Sequence, residues 1–154
     1  MAAAKAGRPD DAALTAALPD ELPSRIRALA QEITRKATTD GRRAQLIQDW
    51  LRSPLFSYSL DPAPGSGYEA LTRFLFDDRR GYCEQFATSM AVLARAVGIP
   101  ARVAVGFLPG NRAGEGWDVS IRDMHAWPEL YFEGLGWVAF EPTPAVAQPP
   151  DYAA

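Results

Sequence analysis

The apolar residues of this chain change period once, at Gly98-Ile99-Pro100. Before that point Phe86, Met90, Leu93, Ala94 and Val97 recur at steps of three and four, which is one face of a helix. Gly98 stops such a helix, and Pro100 prevents its resumption. After it, Arg102-Val103-Ala104-Val105-Gly106-Phe107-Leu108 reads as a strand. Strands follow over 117–121, 125–132 and 136–140. Helices first and an antiparallel sheet second make an α+β domain.

The helix before the switch opens at Arg79-Arg80-Gly81-Tyr82-Cys83-Glu84-Gln85, which holds the only cysteine. Gly81 lets the chain turn into the helix. Free N–H groups and the positive end of the helix dipole favour a thiolate at such a position. The ordinary alternative is a small buried apolar side chain. Glu84 and Gln85 read as capping or solvating groups, and Arg79-Arg80 as a solvated pair.

Upstream, Leu22, Ile26, Leu29, Ile33 and Ala37 keep helical spacing. A second helix is expected from Asp40, as its N-cap, to Leu51, with Ala44, Ile47, Trp50 and Leu51 as its apolar set. Phe56, Tyr58 and Leu60 alternate as a short extended segment, 61–67 is a loop, and a short helix runs from Tyr68 to about Phe76. Residues 1–18 read as a flexible lead-in with Leu14 and Leu18 as its candidate docking residues, 19–145 as the domain and 146–154 as an irregular tail.

Composition narrows the function classes. The 154 residues are 47% hydrophobic and 23% charged, which suits a globular domain with a real core. A net charge of −3 gives no nucleic-acid surface. One Cys and one His exclude an internal disulfide and argue against a zinc site, so neither metal nor cofactor is expected. No apolar run approaches the roughly 20 residues that span a bilayer, and no basic-then-apolar leader opens the chain.

A thiolate nucleophile needs a base and a group that orients the base. His125, the only histidine, opens the strand Met124-His125-Ala126-Trp127-Pro128-Glu129, and Glu141 closes Gly136-Trp137-Val138-Ala139-Phe140-Glu141. Two hairpin registers are open. A loop at Phe132-Glu133-Gly134 pairs Tyr131 with Leu135 and His125 with Glu141. A loop over 133–136 pairs Phe132 with Trp137 and sets Glu141 opposite Pro128. The first is favoured, because it puts His125 and Glu141 on one face at cross-strand range, with Trp127, Glu129 and Trp137. Pro128 has no N–H for a ladder and should face an edge or a bulge. If Glu141 were only a strand-end carboxylate, Asp118 and Asp123 would be next in line to orient the base.

Four motifs in order resemble the bacterial transglutaminase-like core: Gly81-Tyr82-Cys83-Glu84-Gln85-Phe86-Ala87, Gly98-Ile99-Pro100-Ala101-Arg102-Val103, His125-Ala126-Trp127, and Gly136-Trp137-Val138-Ala139-Phe140-Glu141-Pro142-Thr143. The resemblance covers about residues 40–145. It implies a papain-like α+β fold with the nucleophile helix packed on an antiparallel sheet. It also implies a triad of Cys83 as nucleophile, His125 as base and Glu141 as orienting acid. Glu141 departs from the family's usual Asp. The segment from Leu51 to Leu60 also resembles the large membrane-anchored bacterial branch. That implies an extracytoplasmic domain of a membrane-anchored parent, acting on a protein or peptide substrate, with the cell envelope as one setting.

The implied reaction is acyl transfer from a glutamine carboxamide to an amine or to water. Cys83 N–H at the helix start is one oxyanion donor, and Tyr58 and Trp50 are both candidates for the second. A cysteine peptidase or amidase would share the triad. A non-catalytic peptide- or cell-wall-binding module would not need it.

Overall fold

A computed structural model describes residues 1–61 and 65–144. The expected irregular tail and the centre of the 61–67 loop lie outside the described residues. The helical half comes first: α1 Ala12–Thr15, α2 Ser24–Thr34 and α3 Asp40–Leu51. Helix α2 stops three residues short of Ala37. It ends in tighter three-residue turns, with Arg35 N–H on the Glu32 carbonyl and Ala37 N–H on that of Thr34. The N-cap of α3 is Thr39 rather than Asp40. Thr39 is extended and its hydroxyl accepts the Arg42 N–H at 3.3 Å. Asp40 is thereby free to accept the Ala6 N–H at 2.8 Å and to pair with Arg43 at 2.7 Å.

Residues 1–18, expected as a flexible lead-in, are docked on the domain. Gly7 N–H donates to the Tyr131 carbonyl, Glu133 N–H to that of Lys5, and Gly41 N–H to that of Ala4. Arg95 reaches the Ala17 carbonyl at 3.0 Å. A methyl group on Gly41 would meet the Met1 carbonyl, so the first residues cross the start of α3 in close contact.

The extended segment after α3 contains β1 Ser57–Tyr58. Helix α4, Gly67–Arg73, continues into a π-helical turn, Phe74–Asp78, and β2 is Arg80–Gly81. Arg79 closes the wide turn in the left-handed region at φ 52°, donating to the Phe74 carbonyl at 3.2 Å. Strands β1 and β2 run parallel, with Tyr58 opposite Gly81. Helix α5 is Cys83–Ala96. The Gln85 side chain accepts the Tyr82 N–H at 3.0 Å at its start. Its end is a Schellman cap: Gly98, at φ 86°, bonds the Arg95 carbonyl and Ile99 bonds that of Ala94. Its apolar face, Phe86, Met90, Leu93 and Ala94, is fully buried. Phe86 meets Phe74 edge-on at 5.0 Å, and Phe56 packs against both.

Strand β3 is Ala101–Phe107, a small hairpin is formed by β4 Asn111–Ala113 and β5 Gly116–Asp118, and β6 Met124–Phe132 and β7 Gly136–Ala139 follow. The sheet is antiparallel in the order β3-β6-β7, and α5 packs over β6 and β3. The strand expected over 117–121 stops at Asp118, because Ser120 and Asp123 cap a single 3₁₀ turn at Ile121–Asp123.

The β6–β7 register is neither of the two expected. Phe132 pairs with Gly136 and Tyr131 with Trp137 around a loop of Glu133, Gly134 and Leu135. Gly134 and Gly136 both take positive φ, at 72° and 73°. The favoured register is displaced by two residues. An even slip preserves the faces, so the set His125, Trp127, Glu129, Trp137 stays on one side. Pro128 lies in the central strand, at the point where the β6–β7 ladder ends. Its carbonyl accepts the Phe140 N–H at 2.9 Å, but it has no N–H to return. The chain leaves the sheet there, just before Glu141.

Candidate active site

The length of α5 and of β3 sets the place of the thiol. Fourteen helical residues rise about 20 Å and the seven-residue strand returns about the same distance. The far end of β3 is therefore level with Cys83, and Gly106, near that end, pairs with His125. Cys83 is a free, half-buried thiol at the first position of α5. Tyr58 is its neighbour through the β1–β2 pair. Burial first, and then the charge of Cys83, pushes the Tyr58 phenol above its usual range.

His125 and Glu141 are both buried, at 4% and 7% exposed, and His125 Nε2 meets Glu141 Oε2 at 2.5 Å. In the observed register Glu141 falls on a diagonal to His125 rather than opposite it, within reach of a long side chain. The other carboxylate oxygen, Oε1, accepts the Thr143 N–H at 3.0 Å. The main chain here is held by α3: Gln48 Oε1 accepts the Glu141 N–H at 3.0 Å, and Arg52 Nη1 donates to the Glu141 and Thr143 carbonyls at 2.9 and 2.8 Å.

Sequence reasoning missed Gln48, Arg52 and Thr143. One signal was present: Gln48 lies four residues after Ala44 and three before Leu51, a polar residue on an apolar face. Asp118 and Asp123 lie elsewhere. Asp118 is exposed opposite Asn111, and Asp123 accepts from Ser120. Trp50 packs edge-on against Phe56 at 4.8 Å.

The face around His125 is aromatic. Trp127 stacks on the imidazole, with 6.2 Å between ring centres, and Arg102 bridges Glu129 at 2.8 Å and the Trp137 ring at 4.2 Å. A methyl group on Gly106 would lie 2.9 Å from the Trp127 ring. Gly106→Ala should therefore displace that ring from His125 and lower stability by about 1–3 kcal/mol, read as a lower melting temperature. Unchanged melting and unchanged indole fluorescence would contradict this contact. A cavity of about 520 Å³ opens on the opposite face of α5, against Thr88 and Ser89, and Cys83 does not line it.

Among the described residues no helix is long and apolar enough to cross a membrane. No cluster of three or more metal-ligating side chains occurs among them.

A sequence model of the transglutaminase-like superfamily matches residues 27–142. The chain is 41% identical over 126 residues to a protein-glutamine gamma-glutamyltransferase of Pseudomonas aeruginosa, covering 80% of this chain. It is 35% identical over 143 residues to the uncharacterized protein YebA of Bacillus subtilis, covering 88% of this chain. In both cases it spans 19% of the relative's length. The crystal structure of the periplasmic domain of TgpA from Pseudomonas aeruginosa, bound to ethylmercury, superposes with a TM-score of 0.76 at 35% identity. That match covers 86% of this chain and 48% of the other.

Proposed function

Since the chain belongs to the transglutaminase-like superfamily, we propose that it transfers the acyl group of a protein glutamine to an amine, or to water, through Cys83, His125 and Glu141. The observation that carries this reading is the buried 2.5 Å contact of His125 Nε2 with Glu141, in a chain whose one thiol, Cys83, opens α5. With Nε2 donating to the carboxylate, Nδ1 of the neutral ring is the basic nitrogen. It takes the thiol proton as the sulfur attacks the carboxamide carbon. The C–S bond forms, the tetrahedral oxyanion collapses, the C–N bond breaks, and His125 returns the proton to the departing ammonia. The amine then attacks the thioester, His125 takes the amine's proton, and the thiolate leaves. Glu141 holds the ring and supports the imidazolium as it forms.

The Cys83 N–H is one oxyanion donor, and the Tyr58 hydroxyl is the second. Its pairing beside Gly81, two residues before Cys83, supports Tyr58 over Trp50, whose ring packs on Phe56. Tyr58→Phe is expected to lower kcat by about 10- to 100-fold, at the weak end for an oxyanion donor because the residue is partly exposed, with little effect on KM. A loss seen only in KM would assign Tyr58 to substrate binding instead.

The matched domain of the Pseudomonas structure is periplasmic, which supports an extracytoplasmic setting for this one, as a domain of a membrane-anchored parent acting on envelope or secreted proteins. The discriminating experiment follows incorporation of a fluorescent amine into a glutamine-bearing protein, alongside ammonia release. Incorporation that depends on Cys83 supports transfer. Ammonia release without incorporation assigns hydrolysis. Neither, with intact folding, overturns the reading.

A further inference from the structure

Glu141 stands outside the sheet. The last bond of the β6–β7 ladder is Phe140 N–H to the Pro128 carbonyl, and the following residues have no strand to hold them. A long carboxylate on such a segment has several rotamers and two equivalent oxygens. Yet it presents one oxygen to His125 and the other to the Thr143 N–H.

We propose that Gln48 of α3 and Arg52, the residue capping the end of that helix, are positioning residues that set the Glu141 carboxylate and, through it, the His125 ring. This rests on the reading of Glu141 as the orienting acid. The two residues are four apart and so lie on one face of α3, one turn from each other. Gln48 is 1% exposed, and its Oε1 takes the Glu141 N–H, which would otherwise be a buried donor. Arg52 uses a single nitrogen, Nη1, to join the carbonyls of Glu141 and Thr143. That bridge brings 141–143 into the bend in which the Thr143 N–H meets Glu141 Oε1. Oε1 is thereby occupied, and Oε2 is the oxygen left for the imidazole. The orientation of the carboxylate is thus written into main-chain bonds supplied by a helix that contributes no reacting atom. An ordinary structural role would stabilise the fold without fixing which ring nitrogen carries the proton.

His125 is the sole histidine, so its two ring nitrogens can be followed by ¹⁵N NMR without ambiguity. The variants are Gln48→Met, which keeps the side-chain length and removes the acceptor, Arg52→Met, and Arg52→Lys, which keeps a cationic donor. At a pH high enough to leave the ring neutral, native protein should show one dominant tautomer, protonated at Nε2. Gln48→Met and Arg52→Met should shift the ring toward mixed tautomers. They should also lower kcat for amine incorporation by about tenfold, with KM within about twofold. Arg52→Lys should recover part of both. Placed on Glu141→Gln, neither Met substitution should lower kcat by more than about twofold further, because the group they position is already lost.

If Glu141→Gln abolishes activity but Gln48→Met and Arg52→Met leave tautomer and kcat unchanged, positioning is overturned and the triad stands. An undiminished further loss on Glu141→Gln also overturns it. If native protein transfers no acyl group, yet the tautomer still responds to Gln48→Met, the catalytic reading fails and the positioning role stands.

Discussion

Glu141→Gln is expected to lower acyl transfer by about 10²- to 10⁴-fold while the protein stays folded. The geometry gives the reason. Oε1 of Glu141 already accepts the Thr143 N–H, so an amide at this position keeps its oxygen there and turns its NH₂ toward His125. The imidazole must then accept at Nε2 and carry its proton on Nδ1, the nitrogen that should act as base. Charge support for the imidazolium is lost as well. Glu141→Ala should lose at least as much activity. It also leaves the Thr143 N–H without that acceptor, which costs about 1–3 kcal/mol when buried. Glu141→Asp keeps the charge but shortens a side chain that reaches diagonally across the register. It should retain the reaction with about a tenfold loss. Turnover of a glutamine donor with an amine acceptor measures these effects, with thermal melting as the control. Native rates in all three variants would reduce Glu141 to a structural carboxylate.

Cys83→Ala should abolish transfer altogether, since no other thiol exists to form the thioester. His125→Ala should fall to a similar level, and for a related reason. Removing either partner of a nucleophile–base pair costs nearly as much as removing both. The chemistry of the thiol separates them from a folding defect. At pH 6, where an ordinary thiol of pKa about 8.5 is almost wholly protonated, the native protein should be alkylated by iodoacetamide at least about tenfold faster than free cysteine. In His125→Ala that advantage should vanish. Labelling that tracks an ordinary thiol in both proteins, or that requires denaturant, contradicts the pair.

Side-chain patterns made much of this architecture legible. The α5 face of Phe86, Met90, Leu93 and Ala94, with Gly98 behind it, locates the nucleophile helix within a residue at each end. Alternation located β3, β6 and β7, and the lone Cys and lone His narrowed the chemistry. What stayed hidden is carried by main-chain bonds. Gly7 and Glu133 tie the first residues to the hairpin through N–H and carbonyl groups, which leave no compositional trace. The pairing of Tyr58 with Gly81 is of the same kind. The hairpin register depends on Gly134 and Gly136 both taking positive φ, and nothing in their spacing said that both would. Pro128 then ends the ladder early, so that Glu141 reaches His125 from outside the sheet. The face survived the error because the slip was even. Gln48 was legible only as a polar residue out of place on an apolar helix face.

Trapping the acyl-enzyme tests the account most directly. A glutamine peptide mixed with the protein in the absence of amine, quenched in acid and measured by intact mass, should give an adduct equal to the peptide less one ammonia. Proteolysis should localise it to Cys83, and a chase with a primary amine should discharge it to the amidated peptide. The adduct should be absent in Cys83→Ala and fall sharply in His125→Ala. An adduct that survives in Cys83→Ala, or amine incorporation that proceeds at the native rate in that variant, would contradict a thioester at Cys83.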